Sequence, residues 1–418
     1  MLPRRTFLFV ATAVITFVCV LTLIKSGGKE ILTLFTNSAS NSKEYDTDFA
    51  NSYWLPNVYN TKGEVLFAKD RAATGFFSLG NFYDGVSLYG GTPKSGSSSV
   101  DEFQLVDKTG KAVLNQKFAY SNGFSEGLAA TSIAESNGYS ISYIDKTGSI
   151  KLTLPYRYRP SDAKAITRDN FSDKYYVFSE GMAAFRPGSA NVDGNVLFCG
   201  YHDKAGKVVV EPQFFRCSKF SEGLARVGSL VEFNGRREQV FGFIDKTGQL
   251  IIPLEFQFVN DFSEGLARFN NGNTYGYIDK TGQVVIPPIY TKANDFSEGL
   301  ALVKDEKTNL FGFIDKTGKY VIPPTYEHAN NFSEGLAGVY VTDAKGNGSF
   351  GFIDKTGKYV IPPRATTVGE VTKGIYPING QKGEQFNEAG FSNGVAIVRD
   401  AMGITMIDKS GSVIKVLD

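Results

Sequence analysis

Phe262-Ser263-Glu264-Gly265-Leu266-Ala267, then Tyr275-Gly276-Tyr277-Ile278-Asp279-Lys280-Thr281-Gly282, then Val285-Ile286-Pro287-Pro288: this stretch decides the fold, because the chain repeats it. Clear copies of its first phrase begin at Phe220, Phe296 and Phe332. Weaker copies begin at Phe124, Phe178 and Phe391, and a degraded one at Phe82. The turn phrase recurs with its acid at Asp107, Asp145, Asp203, Asp245, Asp279, Asp315, Asp354 and Asp408, at intervals of 34 to 58 residues. A period of that size marks an array of small units, none of which buries its apolar face alone.

Each unit reads as three short antiparallel strands. The first follows the Gly of Phe-Ser-Glu-Gly, the second carries Tyr275 to Ile278, and the third carries Val284 to Ile286. Asp279-Lys280-Thr281-Gly282 joins the second to the third. The Asp side chain accepts from backbone N–H groups just ahead of it, and Gly supplies the left-handed φ that closes the hairpin. Pro287-Pro288 cannot donate ladder hydrogen bonds, so the third strand is predicted to stop there. Gly242, Gly276, Gly312 and Gly351 predict a close backbone approach. The Phe of Phe-Ser-Glu-Gly is predicted to plug the space between neighbouring units, where a buried ring contributes a large apolar area.

The combined phrase Phe296-Ser297-Glu298-Gly299-Leu300-Ala301, Phe311-Gly312-Phe313-Ile314-Asp315-Lys316-Thr317-Gly318 and Val321-Ile322-Pro323-Pro324 resembles bacterial WG-repeat (KWG-repeat) proteins. The resemblance covers roughly residues 53–418 in eight or nine units. The signature Trp-Gly pair is replaced by Phe241-Gly242, Tyr275-Gly276, Phe311-Gly312 and Phe350-Gly351, and the lone Trp54 lies outside that position. The resemblance implies a β-rich repeat array, no catalytic role, and export or association with the cell envelope. The expected fold is therefore all-β: tandem three-stranded antiparallel units, in a propeller-like ring or an open superhelical array, preceded by one N-terminal transmembrane or signal helix. The expected domains are an anchor or signal segment at 1–28, a linker at 29–52 and a repeat domain at 53–418.

Composition agrees with strands and turns. Phe (34), Tyr (21) and Gly (45) are abundant, and Trp occurs once. The formal net charge of +1, from 44 basic and 43 acidic residues, argues against a nucleic-acid partner, which usually selects a strong basic excess. Thr6 to Ile24 is an uncharged, mostly apolar run after Arg4 and Arg5. It is long enough to cross a bilayer as a helix, and the arginines favour a cytoplasmic N-terminus. An uncleaved anchor is the first reading, a cleaved signal the second and a twin-arginine signal the third. All three put the repeats outside the cytoplasm, with membrane contact through residues 6–24. Cys199 and Cys217 then form a disulfide or serve as small buried residues.

The turn acids, with Glu126, Glu180, Glu222, Glu264, Glu298 and Glu334, supply many carboxylates. Paired carboxylates perform glycoside hydrolysis. The same acid in every unit, however, is the mark of turn chemistry. The turn-tip lysines (Lys108, Lys146, Lys204, Lys246, Lys280, Lys316, Lys355, Lys409) form either a row that meets an anionic polymer or an ordinary solvated surface. His202 and His328 lie in different units without metal-ligand spacing, so no metal and no cofactor is expected. Two insertions break the regular period, at 156–177 and 364–390. Long loops on a rigid scaffold carry specificity, and Tyr and Arg are favoured at contact hot spots. The candidate binding residues are therefore Tyr156, Arg157, Tyr158, Arg159, Arg168, Tyr175 and Tyr176. The expected function is a non-enzymatic, membrane-anchored extracytoplasmic scaffold that binds another envelope protein or a cell-wall polysaccharide. The alternatives are a glycan- or peptide-acting hydrolase with carboxylates in a central cleft, and a structural spacer.

Overall fold

The computed structural model describes most of residues 102–158, residues 175–187, 198–365 and 390–416 with a few short gaps, and five strands between Phe49 and Gly91. The anchor or signal segment, nearly all of the linker, and most of both insertions lie outside the described residues. Every described element is a β-strand, and every pairing is antiparallel. A small sheet formed by Phe49–Ala50, Asn57–Asn60 and Val65–Ala68 comes first. From Ser78 onward the chain forms eight sheets in a propeller arrangement, each a meander of consecutive strands.

The unit around Phe262 shows the plan. Its strands are Phe258–Val259, Ala267–Asn270, Tyr275–Ile278 and Val284–Tyr290, hydrogen-bonded in that order. Most sheets thus have four strands where the sequence pattern predicts three. The extra strand precedes the Phe-Ser-Glu-Gly phrase and spans only two residues in this unit and the next two. Two residues cannot display the alternation by which a strand is recognised.

A second expectation is corrected at Pro287-Pro288. The last strand runs through both prolines to Tyr290. Tyr277 pairs with Ile286 but Tyr275 pairs with Tyr290, so the ladder slips where the prolines sit. The prolines occupy a bulge on an edge strand, where no ladder N–H is required. This bulge explains the strand glycine. A Cβ on Gly276 would lie 2.5 Å from the Ile286 carbonyl oxygen and 2.7 Å from the Pro288 nitrogen. The predicted close approach is therefore the bulged edge folding over its neighbour, and Gly242, Gly312 and Gly351 meet their own bulges in the same way.

The predicted turn chemistry is present. Asp279 Oδ1 accepts hydrogen bonds from Thr281 N–H (2.8 Å), the Thr281 hydroxyl (2.6 Å) and Gln283 N–H (3.0 Å), and Gly282 has φ +85°. The equivalent Thr hydroxyls hold the carboxyls of Asp245, Asp279, Asp315 and Asp354 below the usual carboxylate range, against a smaller opposing effect of burial and with help from turn N–H groups. A depressed folded pKa means stability that is present above the unfolded value of about 3.9 and lost as pH falls through the folded one. Thermal unfolding followed by circular dichroism is expected to show a melting temperature that declines below about pH 4. A melting temperature that is flat from pH 5 to pH 2 would contradict this.

Consecutive units are joined by three contacts. The ring of each Phe-Ser-Glu-Gly phenylalanine packs on an aromatic of the preceding unit: Phe262 on Phe243 (centroids 4.7 Å apart), Phe296 on Tyr277 (4.9 Å), Phe332 on Phe313 (4.8 Å). Ser263 Oγ donates to the Phe296 carbonyl at 2.8 Å, and Ser297 Oγ to the Phe332 carbonyl at 2.9 Å. Gly299 N–H donates to the Glu264 carboxylate at 2.8 Å, and Gly335 N–H to the Glu298 carboxylate at 2.9 Å. These contacts run from the unit of Phe124 through to that of Phe391.

Candidate functional site

Strand direction alternates in a meander, so each sheet has two unlike ends. The Phe-Ser-Glu-Gly hairpins and the Asp-Lys-Thr-Gly turns lie at one end. The hairpins between second and third strands, and the connections from unit to unit, lie at the other. The first is the junction end and the second the loop end.

At the junction end Ser-Glu-Gly-Leu closes a two-residue hairpin, with Ser263 and Leu266 exchanging both backbone hydrogen bonds. Such a turn needs φ > 0 at both central residues, and Asn-Gly is its usual filling. Here the first position is Glu, with φ +54° at Glu264, and +50° to +55° across the six copies. A non-Gly residue in that region costs about 1–2 kcal/mol. The carboxylate gives the reason for Glu, since it accepts the next unit's Gly N–H and also meets the next unit's turn lysine. Lys204–Glu126, Lys246–Glu180, Lys280–Glu222, Lys316–Glu264, Lys355–Glu298 and Lys409–Glu334 are ion pairs of 2.9–3.3 Å. These lysines are thus tied to the array and do not form a free cationic row. The turn acids and the glutamates are likewise occupied by structural partners.

The two contacts of Glu264 separate in energy. Glu264→Ala removes a charge-assisted hydrogen bond and is expected to cost about 1.5–2 kcal/mol in a urea titration. Lys316→Ala removes only a half-exposed ion pair and is expected to cost less than about 1 kcal/mol. Equal losses would contradict the assignment of the N–H contact as the main one.

The loop end varies from unit to unit. The second and third strands are four residues each around Phe296 (Ala301–Lys304, Phe311–Ile314) but ten and nine around Phe220 (Leu224–Phe233, Arg236–Ile244). From the equivalent pairs Ala225–Ile244 and Ala301–Ile314 the longer hairpin has three more residues per arm and projects roughly 10 Å further at about 3.3 Å per residue. The strands Ile150–Tyr158 and Tyr359–Ala365, which precede the two insertions, also end here.

Of the sequence candidates, Tyr156, Arg157 and Tyr158 end the strand Ile150–Tyr158, and the last two pair with Ser140 and Tyr139. The Tyr156 ring is half-buried and stacks on Phe185 at 5.1 Å. Tyr175 and Tyr176 are core residues, 2% and 3% exposed. The Tyr176 hydroxyl donates to the Arg186 carbonyl at 2.8 Å, and the Arg186 guanidinium covers the Tyr175 ring at 4.4 Å. These two tyrosines therefore anchor the insertion rather than face outward. Arg159 and Arg168 lie outside the described residues. The projecting hairpin carries exposed Val231, Glu232 and Arg237, which the sequence reading did not single out. The wider spacing between Ala225 and Phe241 than between Ala267 and Tyr275 was the available signal.

Cys199 and Cys217 are joined as a disulfide, Cα to Cα 6.1 Å, between the sheets of the Phe178 and Phe220 units. His202 is buried, 3.1 Å from the Tyr143 hydroxyl and 2.8 Å from the Asp203 carbonyl, and burial pushes its pKa down. It is a packed core residue. Among the described residues no group of three His, Cys, Asp or Glu side chains is placed to hold a metal ion, and no helix is long and apolar enough to cross a membrane.

The family model described as WG containing repeat matches residues 200–228, 241–275, 275–307, 311–343 and 350–379. The last four of these five matches open on Phe241, Tyr275, Phe311 and Phe350, each followed by Gly, where the repeat's name has Trp-Gly. No curated protein matches the chain significantly. Similar solved structures include dipeptidyl peptidase 4 of Porphyromonas gingivalis, 10% identical with TM-score 0.47, covering 86% of this chain and 62% of that one. Prolyl oligopeptidase B of Galerina marginata is 11% identical with TM-score 0.33, covering 68% and 50%. A protein of Listeria monocytogenes EGD-e is 11% identical with TM-score 0.36, covering 83% and 96%. The chain spans about half the length of the prolyl endopeptidase and oligopeptidase chains it matches.

Proposed function

We propose that this chain is a non-enzymatic scaffold that uses its loop end to bind another envelope protein or a cell-wall polysaccharide. One observation carries the reading. The junction end is nearly invariant from unit to unit and its charges are satisfied internally, whereas length and side-chain variation collect at the loop end. Specificity on a rigid array resides where the units differ. The repeats stand outside the cytoplasm, held to the membrane by residues 6–24. The Cys199–Cys217 disulfide supports that placement, because such bonds persist in oxidising compartments. Arg157, Tyr158, Arg159 and Arg168 remain the contact residues of the first insertion, while Tyr156, Tyr175 and Tyr176 hold its base.

The test is capture from envelope extracts with the full chain, a chain lacking 160–173, and a chain whose 228–241 hairpin is shortened to the length of its neighbours. A retained protein or polysaccharide that either loop-end change releases supports the proposal. Retention that both changes leave intact, but that Glu264→Ala or Lys316→Ala abolishes, would move the binding face to the junction end and refute it.

A further inference from the structure

Lys292 and Lys304 are directly opposed across the first two strands of the Phe296 unit. Directly opposed residues share one face of a sheet a few ångströms apart, and like charges there repel. The repeat does not impose this pair. The same position holds Arg216 opposite Gly228, Phe258 opposite Asn270 and His328 opposite Tyr340. Nor is the pair neutralised as the turn lysines are. Among the described residues, neither ammonium has a carboxylate within ion-pair distance, whereas six turn lysines each reach a glutamate.

The next unit adds a third basic group. His328 begins the strand His328–Ala329, half-buried against the same cluster. Burial is the largest cause of its lowered pKa; Glu327 opposes the shift, and Lys304 and Lys292 reinforce it. Both ammoniums thus disfavour the protonated imidazole. Aromatic rings complete the cluster. The Lys304 ammonium stands 5.3 Å over the Phe311 ring, whose centroid is 6.4 Å from that of His328, and the Tyr340 ring lies 6.0 Å from His328. Lys292 opens its strand, Lys304 closes the next and Phe311 opens the third, so the cluster sits at the loop end between two sheets.

We propose that Lys292, Lys304 and His328 bind the carboxylate or phosphate oxyanion of an acidic sugar, with Phe311 and Tyr340 taking the apolar face of the sugar ring. An oxyanion removes the Lys–Lys repulsion and favours the protonated imidazole, and aromatic rings suit the C–H face of a pyranose. The proposal rests on the loop end being the binding face and names the ligand class of one subsite there.

The chain has only two histidines, which makes the readout simple. Imidazole resonances of the full chain in detergent would be followed by NMR at pH 7 during titration with glucuronate, glucose and inorganic phosphate, and against pH with and without saturating glucuronate. Buried His202 serves as the internal control. Glucuronate is expected to shift the His328 signals saturably and to raise the His328 pKa by about half a unit or more, because a bound anion favours imidazolium. Glucose should leave both histidines unmoved, and phosphate should bind at least threefold more weakly than glucuronate. K292A/K304A should weaken the glucuronate response at least tenfold while the His202 signals and the melting temperature hold. A response that does not saturate, or that survives in the double variant, overturns the site. Equal affinity for phosphate and glucuronate, or an equal response to glucose, overturns the acidic-sugar assignment. No His328 response alongside successful loop-end capture from extracts refutes this inference alone; failure of both refutes the binding face as well.

Discussion

Replacing Phe296 by alanine is expected to lower the unfolding free energy by about 3–5 kcal/mol, the usual cost of emptying a fully packed phenylalanine site. Phe296 is 2% exposed and reaches across to Tyr277 of the preceding unit. Around it Leu266, Ile286, Tyr290, Ala293 and Val303 form one apolar cluster drawn from both units. The cavity left by truncation would open at a junction, where neither sheet can collapse without pulling the backbone hydrogen bonds of the next hairpin with it. Phe258 provides the contrast, being 62% exposed on a strand edge. Phe258→Ala is expected to cost less than about 0.5 kcal/mol, as for a surface substitution away from structural features. Urea unfolding of the two variants measures both. Similar losses would show that the junction rings do not hold the array together.

The second large effect is expected at Gly276. A single added methyl would meet the Ile286 carbonyl oxygen at 2.5 Å and the Pro288 nitrogen at 2.7 Å, and both are backbone atoms of the bulged edge. No side-chain rotation relieves such a contact. The edge strand must move, and overpacking of this kind costs up to about 3 kcal/mol. Gly299→Ala separates this clash from conformational strain. Gly299 has φ +88° with open space where a Cβ would stand. It should lose about 1–2 kcal/mol from the left-handed backbone alone. Thermal or urea unfolding in which Gly276→Ala is the milder of the two would contradict the bulge account.

Much of this architecture is readable from the sequence, for a definite reason. The period, the Asp turns, the strand glycine and the junction phenylalanine all recur, and a residue that recurs must satisfy the same local geometry each time. What the sequence conceals depends on the partner strand. Pro287 and Pro288 look like a strand terminator until the sheet edge is seen beside them, where a missing N–H costs nothing. Phe258–Val259 is too short to declare itself. Glu264 reads as one more surface acid, because neither its positive φ nor its reach to Gly299 is local information.

Function was less legible for the same reason. The repeat explains the carboxylates and the turn lysines as structure, which removes them from the list of active groups. The residues left over are those that break the pattern. Tyr175 and Tyr176 broke it in order to pack inside. Lys292 and Lys304 broke it without any visible motif, because only the strand register places two lysines nineteen and seven letters before Phe311 on one face, and only the packing of the next sheet sets His328 beside Phe311.

The most direct measurement is a double-mutant cycle between Phe313 and Phe332. These rings belong to consecutive units, with centroids 4.8 Å apart and an interplanar angle of 57°. Locking of the units through these rings predicts a coupling free energy of about 0.5–1.5 kcal/mol in the cycle. A coupling of zero, with the two single losses simply adding, would contradict it.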